Sequence, residues 1–219
     1  MVNEVSALIN SLHQGSIKRI PLGTIATIER GNGLQKKDLI SSGIGCIHYG
    51  QIYTKYSTFT ETTISFVDAE LASKLKKVHC GDLIIAVTSE NIEDVCKCIA
   101  WMGDEDIVTG GHTAIIRHSQ NPKYLAYWFQ TEDFRKQKYN IAHGTKVIEV
   151  TPKHLENVLI PLHSLEIQDE IVRILDCFAS LTAELTAELT ARKLQYEFYR
   201  DKLLSFDHLT PEERERRQG

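Results

Sequence analysis

The chain has 219 residues, of which 42% are hydrophobic and 25% charged, and its formal net charge is −4. This composition is typical of a globular protein, and no apolar run approaches the roughly 20 residues that cross a bilayer. Since the first residues, Met1-Val2-Asn3-Glu4, lack the pattern of a signal peptide, we expect a cytoplasmic protein without a membrane segment.

Charge is distributed unevenly along the chain. Residues 1–163 contain 17 Lys and Arg against 17 Asp and Glu, whereas residues 164–219 contain 8 against 12. Basic residues form two local groups, Lys18, Arg19, Arg30, Lys36 and Lys37, and Arg135, Lys136, Lys138 and Lys146. A neutral domain with such patches can bind phosphate groups, although two solvated faces would show the same pattern.

The five cysteines, an odd number, indicate reduced thiols rather than a disulfide framework. Cys96 and Cys98 fall on one side of a predicted strand and raise the question of zinc, with His79, Cys80 and His112 as further ligands. Structural zinc sites usually space their paired cysteines by two to four residues and need a second pair, which this sequence lacks. We therefore expect free thiols and no metal site.

The first predicted elements, in chain order, are an amphipathic helix over residues 3–14, a strand over 20–28 and a Gly-rich turn over 30–34. A short helix is predicted over residues 68–76. Runs of β-branched residues between Gly-containing breaks predict further short strands, at residues 44–49, 51–53, 82–87, 98–102 and 113–117. Together these elements indicate a compact mixed sheet.

Two proline pairs mark helix starts in the second half of the domain. Asn121-Pro122 predicts a helix that continues to about Lys138, with the asparagine as its cap. Thr151-Pro152 predicts a shorter helix, and a final strand follows over residues 158–162.

From Leu165 to about Phe206 the sequence contains neither proline nor glycine, and apolar residues recur at helical spacing. This pattern predicts one helix of roughly 40 residues, about 60 Å long, which needs a partner along its length. The helix contains a tandem repeat, Leu181-Thr-Ala-Glu, Leu185-Thr-Ala-Glu, Leu189-Thr-Ala-Arg192. The leucines keep roughly one face, so the repeat is either a plain amphipathic segment or a spacer of adjustable length, which we favour.

Two patterns suggest catalysis, and both have a simpler interpretation. Asn121-Pro-Lys-Tyr124 is similar to the loop with which adenine methyltransferases grip a flipped base, but a lysine replaces the second proline and a capped helix explains the residues. Glu90, Glu93 and Asp94 beside Lys97 suggest a metal-dependent nuclease, but one acidic stretch is more often a solvated loop. We therefore expect a chain that is not an enzyme.

Several strings stand in a specific order and spacing between residues 17 and 206. They are Pro21-Leu-Gly-Thr-Ile-Ala-Thr-Ile28, Arg30-Gly-Asn-Gly-Leu-Gln-Lys-Lys-Asp38, His48-Tyr-Gly-Gln-Ile-Tyr-Thr54, Gly81-Asp-Leu-Ile-Ile-Ala-Val-Thr-Ser-Glu90, Gly110-Gly-His-Thr-Ala-Ile-Ile-Arg117, Gly144-Thr-Lys-Val-Ile148, Ile160-Pro-Leu162, Gln168-Asp-Glu-Ile-Val-Arg-Ile-Leu-Asp176 and Arg200-Asp-Lys-Leu-Leu-Ser-Phe206. Together they resemble the target-recognition domain and conserved helix of type I restriction–modification specificity subunits. The Thr-Ala-Glu-Leu repeat also fits, because this family uses such repeats in its spacer helix.

The fold expected with this resemblance is α+β. A short helix at residues 1–16 precedes a compact mixed α/β target-recognition domain at 17–163, and a long coiled-coil helix at 164–206 and a charged tail at 207–219 follow. The family's subunits usually carry two copies of domain and helix, each domain reading half of a split site. This chain has one copy, so the resemblance implies a two-fold homodimer that binds a bipartite target.

The resemblance also implies the partners. They are double-stranded DNA, methylation subunits and, in complete systems, a restriction or translocase subunit. AdoMet is expected in the methylation subunit, and no cofactor is expected in this chain. The alternative is a coiled-coil scaffold protein without DNA readout, which would show no salt-dependent DNA affinity.

The candidate site residues fall on predicted loops, from which side chains reach base edges and phosphates. The DNA-binding candidates are Arg30, Asn32, Gln35, Lys36, Lys37, His48, Tyr49, Gln51, Tyr53, Ser89, Asn91, His112, Thr145 and Lys146. The candidates for a dimer or subunit interface lie on the apolar stripe of the long helix. They are Ile171, Ile174, Leu175, Phe178, Leu181, Leu185, Leu189, Phe198 and Leu203.

Overall fold

A computed structural model describes residues 5–6, 17–205, 212 and 216 of the chain. The chain divides into two compact units, Met1–Val172 and Arg173–Gly219. The helix predicted over residues 3–14 and the charged tail predicted over 207–219 lie outside the described residues, except for residues 5, 6, 212 and 216.

The first unit is built around short strands. They are β1 (Arg19–Pro21), β2 (Ala26–Arg30), β3 (Ile44–Ile47), β4 (Phe59–Thr60), β5 (Ser65–Val67), β6 (Lys76–Val78), β7 (Leu83–Ala86), β8 (Thr88–Ser89), β9 (Cys98–Trp101), β10 (Ile107–Thr109), β11 (Thr113–His118), β12 (Ile148–Glu149) and β13 (Leu159–Pro161). The helices are α1 (Tyr49–Thr54), α2 (Ala69–Ala72), α3 (Pro122–Trp128), α4 (Glu132–Ile141), α5 (Pro152–Glu156) and α6 (Leu165–Ser205). This mixture of elements, followed by one long helix, confirms the α+β class.

The strands form two sheets and two short ribbons. The larger sheet has the order β2-β11-β7-β9-β4, and the smaller one has the order β5-β3-β10-β6. The ribbons pair β1 with β13 and β12 with β8, both antiparallel. Most pairs are antiparallel, but β3 runs parallel to β10 and β4 runs parallel to β9.

Strand β7 is covered on both faces, as its unbroken apolar sequence predicts. Leu83 and Ile85 belong to a core that also contains residues of α3 and α4. Ile84 and Ala86 face a second core, to which α1 contributes Ile52. Because alternate residues of a strand point to opposite faces, one four-residue strand joins both cores.

Three predictions for the first half of the domain are wrong in detail. The strand predicted over 51–53 is part of α1, because His48 caps this helix and Gln51 completes a capping box with it. The strand predicted over 20–28 is interrupted by a 3₁₀ turn at Leu22–Thr24. The helix predicted over 68–76 ends at Ala72, and residues 76–78 form β6 instead.

The helix predicted from Asn121 to Lys138 is two helices. The Asn121 side chain accepts a hydrogen bond from Tyr124 N at 3.0 Å and starts α3 as expected. Thr131 Oγ1 accepts from Phe134 N at 3.3 Å and starts α4 independently. A second N-cap inside an apolar stretch therefore divides the helix.

The long helix α6 has 41 residues, so it is about 60 Å long, as the sequence predicts. The threonines of its repeat donate hydrogen bonds to carbonyls one turn earlier: Thr182 to Phe178 at 2.8 Å, Thr186 to Thr182 at 2.7 Å and Thr190 to Thr186 at 2.9 Å. Among the described residues, no helix combines the length and apolarity of a membrane span.

Candidate nucleic-acid interface

Loops from distant parts of the sequence meet where strand β7 ends. Val87 donates its N–H to His112 O at 2.9 Å and accepts a hydrogen bond from Val150 N at 2.9 Å. One residue later, Ser89 pairs with Ile148 in the β8–β12 ribbon. We call the surface formed by residues 30–37, 48–53, 88–91, 110–112 and 143–149 the loop face.

Arg30 connects two of these loops. Its Nε donates to Gly111 O at 2.8 Å, and its Nη1 lies 2.5 Å from Glu149 Oε1. The backbone approach is close here, because a Cβ added at Gly31 would lie 2.3 Å from Gly110 O. The glycine-rich turn predicted at residues 30–34 therefore serves to bring β2 against the 110–112 loop.

Aromatic rings form a cluster within the loop face. The Tyr49 ring lies between those of His48 and His112, with centroid distances of 4.5 Å and 4.8 Å, and meets the Tyr53 ring edge-on at 6.1 Å. Tyr53 Oη donates to Thr88 O at 2.6 Å, and Thr88 Oγ1 lies 2.8 Å from His112 Nδ1. The sequence predicted all four ring-bearing residues, and the structure brings them together.

The charge of this cluster follows from its burial. Burial lowers the pKa of His48, and the nearby charges of His112 and Lys36 lower it further. His48 is therefore neutral at pH 7, and its Nδ1 accepts a hydrogen bond from Gly50 N at 3.3 Å. Burial also raises the pKa of Tyr53, so its hydroxyl stays protonated. Lys36 contributes positive charge beside this cluster.

The basic loop at residues 35–38 is held by its own side chains. Asp38 Oδ2 accepts a hydrogen bond from Gln35 N at 2.8 Å, which closes the 3₁₀ turn Lys36–Asp38. Gln35, Lys36 and Lys37 are exposed on this turn. Two adjacent ammonium groups on a fixed turn suit contact with phosphate groups.

The hairpin that carries Thr145 and Lys146 is also rigid. His143 and Glu149 exchange backbone hydrogen bonds of 2.9 Å and 2.7 Å across its base. Gly144 has a φ of +116°, and a Cβ there would lie 2.0 Å from Val147 O, so only glycine fits. Thr145 and Lys146 are exposed at the tip.

Four further candidate residues are bonded or buried inside the protein. Asn32 Nδ2 donates to Lys74 O and its Oδ1 accepts from Lys76 N, both at 2.9 Å. Gln51 bonds to His48 N and to Ser65 Oγ, and Asn91 bonds to Asp94. Ser89, the fourth of these residues, is only 8% exposed. These contacts shape the loops, and direct DNA contact by these residues stays a prediction.

The second basic group does not form one patch. Arg135 pairs with Glu132, with Nε 2.6 Å from Oε2. Lys138 is only 6% exposed, and its Nζ donates to Glu93 O and Val95 O at 2.8 Å and 3.1 Å. The charge pattern alone did not indicate that this lysine is buried.

Tyr124 of the Asn121-Pro-Lys-Tyr124 pattern and the two cysteines of the zinc question are buried. The Tyr124 ring, which would stack on a flipped base, is 5% exposed, and its hydroxyl donates to Pro161 O at 2.7 Å. Burial raises the pKa of Cys96 to about 12 and raises that of Cys98 as well. Within residues 17–205 and the isolated described positions, no three His, Cys, Asp or Glu side chains are grouped for a metal ion.

The apolar stripe of α6 is exposed over most of its length. Its exposed members are Phe178 (42%), Leu181 (45%), Leu185 (58%), Leu189 (55%), Phe198 (59%) and Leu203 (69%). Ile171 packs against the core of the first unit, and Ile174 is only 7% exposed. An interface role for these two isoleucines stays a prediction. Leu175 is half-buried.

Known proteins share this sequence and fold. Residues 17–192 match the family described as the type I restriction modification DNA specificity domain. The specificity subunit of the type I restriction enzyme EcoR124I/EcoR124II of Escherichia coli is 47% identical over 91 residues, which make up 38% of this chain and 21% of that protein.

Two solved structures have the same fold. A chain from a structure of a type I R-M system superposes with a TM-score of 0.64 at 20% identity and covers 86% of this chain and 45% of that one. The HsdS subunit of Thermoanaerobacter tengcongensis gives a TM-score of 0.55 at 20% identity, over 78% of this chain and 39% of that one.

The chain spans about a fifth (21%) of the length of the Escherichia coli relative. It spans less than half of either solved chain, 45% of the first and 39% of the second. The family description and the relative's name denote specificity rather than catalysis, in agreement with the expectation that the chain is not an enzyme. Because the match covers residues 17–192, the chain belongs to the family of type I restriction modification DNA specificity domains.

Proposed function

We propose that this chain selects the DNA sequence for a type I restriction–modification methyltransferase, in the cytoplasm, and that the loop face contacts the DNA. The observation that carries the proposal is the convergence of residues 30–37, 48–53, 110–112 and 143–149 on one surface. Rigid loops that present basic and aromatic side chains together suit contact with phosphates and base edges.

The loop face divides into two kinds of contact. Lys36, Lys37 and Lys146 are exposed on turns that their own backbones fix, so they are assigned to phosphates. The Tyr49 and His112 rings belong to the same loop face and are assigned to base edges, together with Gln35. Phosphate contacts set the position of the domain, and base contacts set its sequence preference.

The second copy of the domain would come from a second chain. Apolar side chains from Phe178 to Leu203 are exposed along most of α6, and exposing such a surface to water is unfavourable. Closed pairs of identical chains are nearly always two-fold symmetric. A homodimer would present the loop face twice in opposite orientation and bind two inverted half-sites around an unread spacer.

The methyl-transfer chemistry would reside in partner subunits. Methylation subunits would bind AdoMet and carry the active site, and this chain would bring them to the target. A restriction or translocase subunit would complete a cleaving system. This division of labour agrees with the packing of Tyr124, whose hydroxyl bonds to Pro161 O.

Co-expression of the chain with candidate methylation subunits, followed by mapping of methylated adenines in the host DNA, tests the proposal. We expect one methylated sequence with two inverted half-sites, and no methyl transfer by the chain alone with AdoMet. A scaffold protein without DNA readout would give no defined methylated sequence and no salt-dependent affinity.

A further inference from the structure

The acidic turn at residues 90–97 is held by hydrogen bonds and an ion pair between its own residues. Asn91 Nδ2 donates to Asp94 Oδ2 at 2.9 Å, and Asp94 N donates to Asn91 Oδ1 at 2.8 Å. Lys97 Nζ lies 2.7 Å from Asp94 Oδ1. Cys96 has a φ of +65°, which is rare for a residue with a side chain and persists only where the surroundings impose it.

Lys138 is the buried support of this turn. Its Nζ donates to the carbonyls of Glu93 and Val95, at 2.8 Å and 3.1 Å, while only 6% of the residue is exposed. Burying an ammonium group without a directly bonded carboxylate is unfavourable, and an apolar side chain at this position would avoid the penalty. The Lys138 ammonium fixes the path of the turn, because the carbonyls of Glu93 and Val95 must both point at its Nζ.

The turn places Glu90 on the loop face. Glu90 follows Ser89 directly, and Ser89 pairs with Ile148 of the hairpin that presents Lys146. Glu90 is exposed, and its carboxylate makes no hydrogen bond or ion pair with the described part of the chain. Asn91, Asp94 and Lys97 of the turn bond to one another, and the exposed Glu93 lies three positions further from Ser89 than Glu90 does.

A carboxylate on a DNA-binding surface has few possible partners. It carries only acceptor oxygens, so it repels the phosphate backbone and weakens binding to DNA of any sequence. In the major groove it can accept a hydrogen bond from an exocyclic amino group, the N4 amine of cytosine or the N6 amine of adenine. We propose that Glu90 is a specificity-determining residue that accepts a hydrogen bond from such an amino group, with Lys138 as its positioning residue.

The inference rests on the proposed function and predicts two opposite effects of one substitution. Glu90→Gln keeps the shape but removes the charge and adds an amide donor. The complex should bind non-specific DNA more tightly and should lose roughly tenfold in discrimination at one C or A position of each half-site. A side chain that only solubilises the turn would change neither the methylated sequence nor its strictness.

A matched control lies at the other end of the same sheet. Glu61 follows β4, whose Thr60 pairs with Trp101 at the end of β9. Strand β9 is antiparallel to β7, so Trp101 lies beside the start of β7, whereas Glu90 follows its end. Glu61→Gln removes the same charge from an exposed residue and should leave the methylated sequence unchanged.

The test is the methylated sequence of complexes with the wild-type chain, Glu90→Gln and Glu61→Gln, with filter binding to non-specific DNA. The base at the relaxed position distinguishes cytosine from adenine. An unchanged, equally strict sequence for Glu90→Gln, beside a defined wild-type sequence, overturns this inference alone. A wild-type complex without any defined sequence overturns the proposed function as well.

Lys138→Met provides a second variant for the same position. It removes the buried charge at similar length, and it should relax the same C or A position as Glu90→Gln while other positions keep their strictness. Lys136→Met, on the exposed side of the same helix, is its control. Relaxation at every position of the half-site with Lys138→Met would show that the turn does not act through Glu90.

Discussion

Arg30 Nη1 lies 2.5 Å from Glu149 Oε1 although 119 positions separate the two residues, and each side chain is 41% exposed. The pair neutralises a guanidinium of the loop face. We expect Glu149→Gln to free Arg30 for a phosphate, so DNA of any sequence binds more tightly and the slope of log affinity against log salt steepens by about one unit. Anisotropy titrations of the assembled complex at several salt concentrations measure this slope; a shallower slope would contradict the assignment.

Lys36 and Lys146 provide the complementary experiment. Replacing either residue with alanine should weaken binding to all sequences alike and flatten the salt slope by about one unit, because one phosphate contact is lost. Lys123 is a control, since its Nζ lies 3.6 Å from the centroid of the ring of Phe59, a residue of the edge strand β4. Lys123→Ala should leave the slope as it is. If both test variants behave like this control, the two loops do not contact DNA.

The hairpin at residues 143–149 depends on one glycine. In Gly144→Ala the new Cβ would lie 2.0 Å from Val147 O, so the tip must change its path. We expect DNA affinity to fall at least about tenfold, because Lys146 is displaced from its phosphate. Gly81→Ala is the matched control: it has a φ of +88° but no atom within 4 Å of the new Cβ. This control should cost about 1 kcal/mol of stability and leave DNA affinity intact.

His118 makes stability depend on pH. Burial lowers its pKa to about 4, and its Nδ1 accepts a hydrogen bond from Gln120 N at 3.1 Å. The unfolded chain binds a proton near pH 6.5, so the stabilisation is complete above that pH and is lost as pH falls towards 4, by up to about 3 kcal/mol.

The His118→Asn variant isolates this effect. Asparagine keeps an acceptor for the Gln120 N–H but does not titrate in this range. Urea unfolding of both proteins between pH 7 and pH 4 should show a free-energy difference that shrinks as pH falls. A difference that stays constant would show that His118 does not titrate with a lowered pKa.

The tetrapeptide repeat predicts a change in target geometry. Deleting Leu185-Thr-Ala-Glu188 shortens each helix by about 6 Å, which at 3.4 Å per base pair is roughly one to two base pairs of spacer. The methylated sequence of the deletion variant should keep its half-sites and contract between them. Altered half-sites, or an unchanged spacer, would contradict the role of the helix as a ruler.

The buried strands were predictable from sequence because burial alone defines them. The apolar runs at β7, β9 and β11 match the predicted strands to within one or two residues. The helix α1 was missed because Gln51-Ile52-Tyr53 also alternates like a strand. The signal that identifies it is the reciprocal pairing of His48 with Gln51 three residues later.

The candidate site was predicted as a set and not residue by residue. Loop position and side-chain chemistry were enough to select His48, Tyr49, Tyr53 and His112, which the structure brings together. The internal role of Asn32 was not predictable, because its partners Lys74 and Lys76 lie more than 40 positions away, at separations of 42 and 44. Such contacts depend on the tertiary fold, which local pattern does not encode.

The threonine hydroxyls of α6 make each repeat unit chemically self-sufficient. Thr186 and Thr190 bond to carbonyls of the preceding unit, so a unit inserted or removed leaves every hydroxyl with the same kind of partner. A change in the number of repeat units therefore leaves no threonine hydroxyl without a hydrogen-bond partner, and it requires no compensating substitution elsewhere. The helix can lengthen or shorten in steps of four residues during evolution while the domain that precedes it stays untouched.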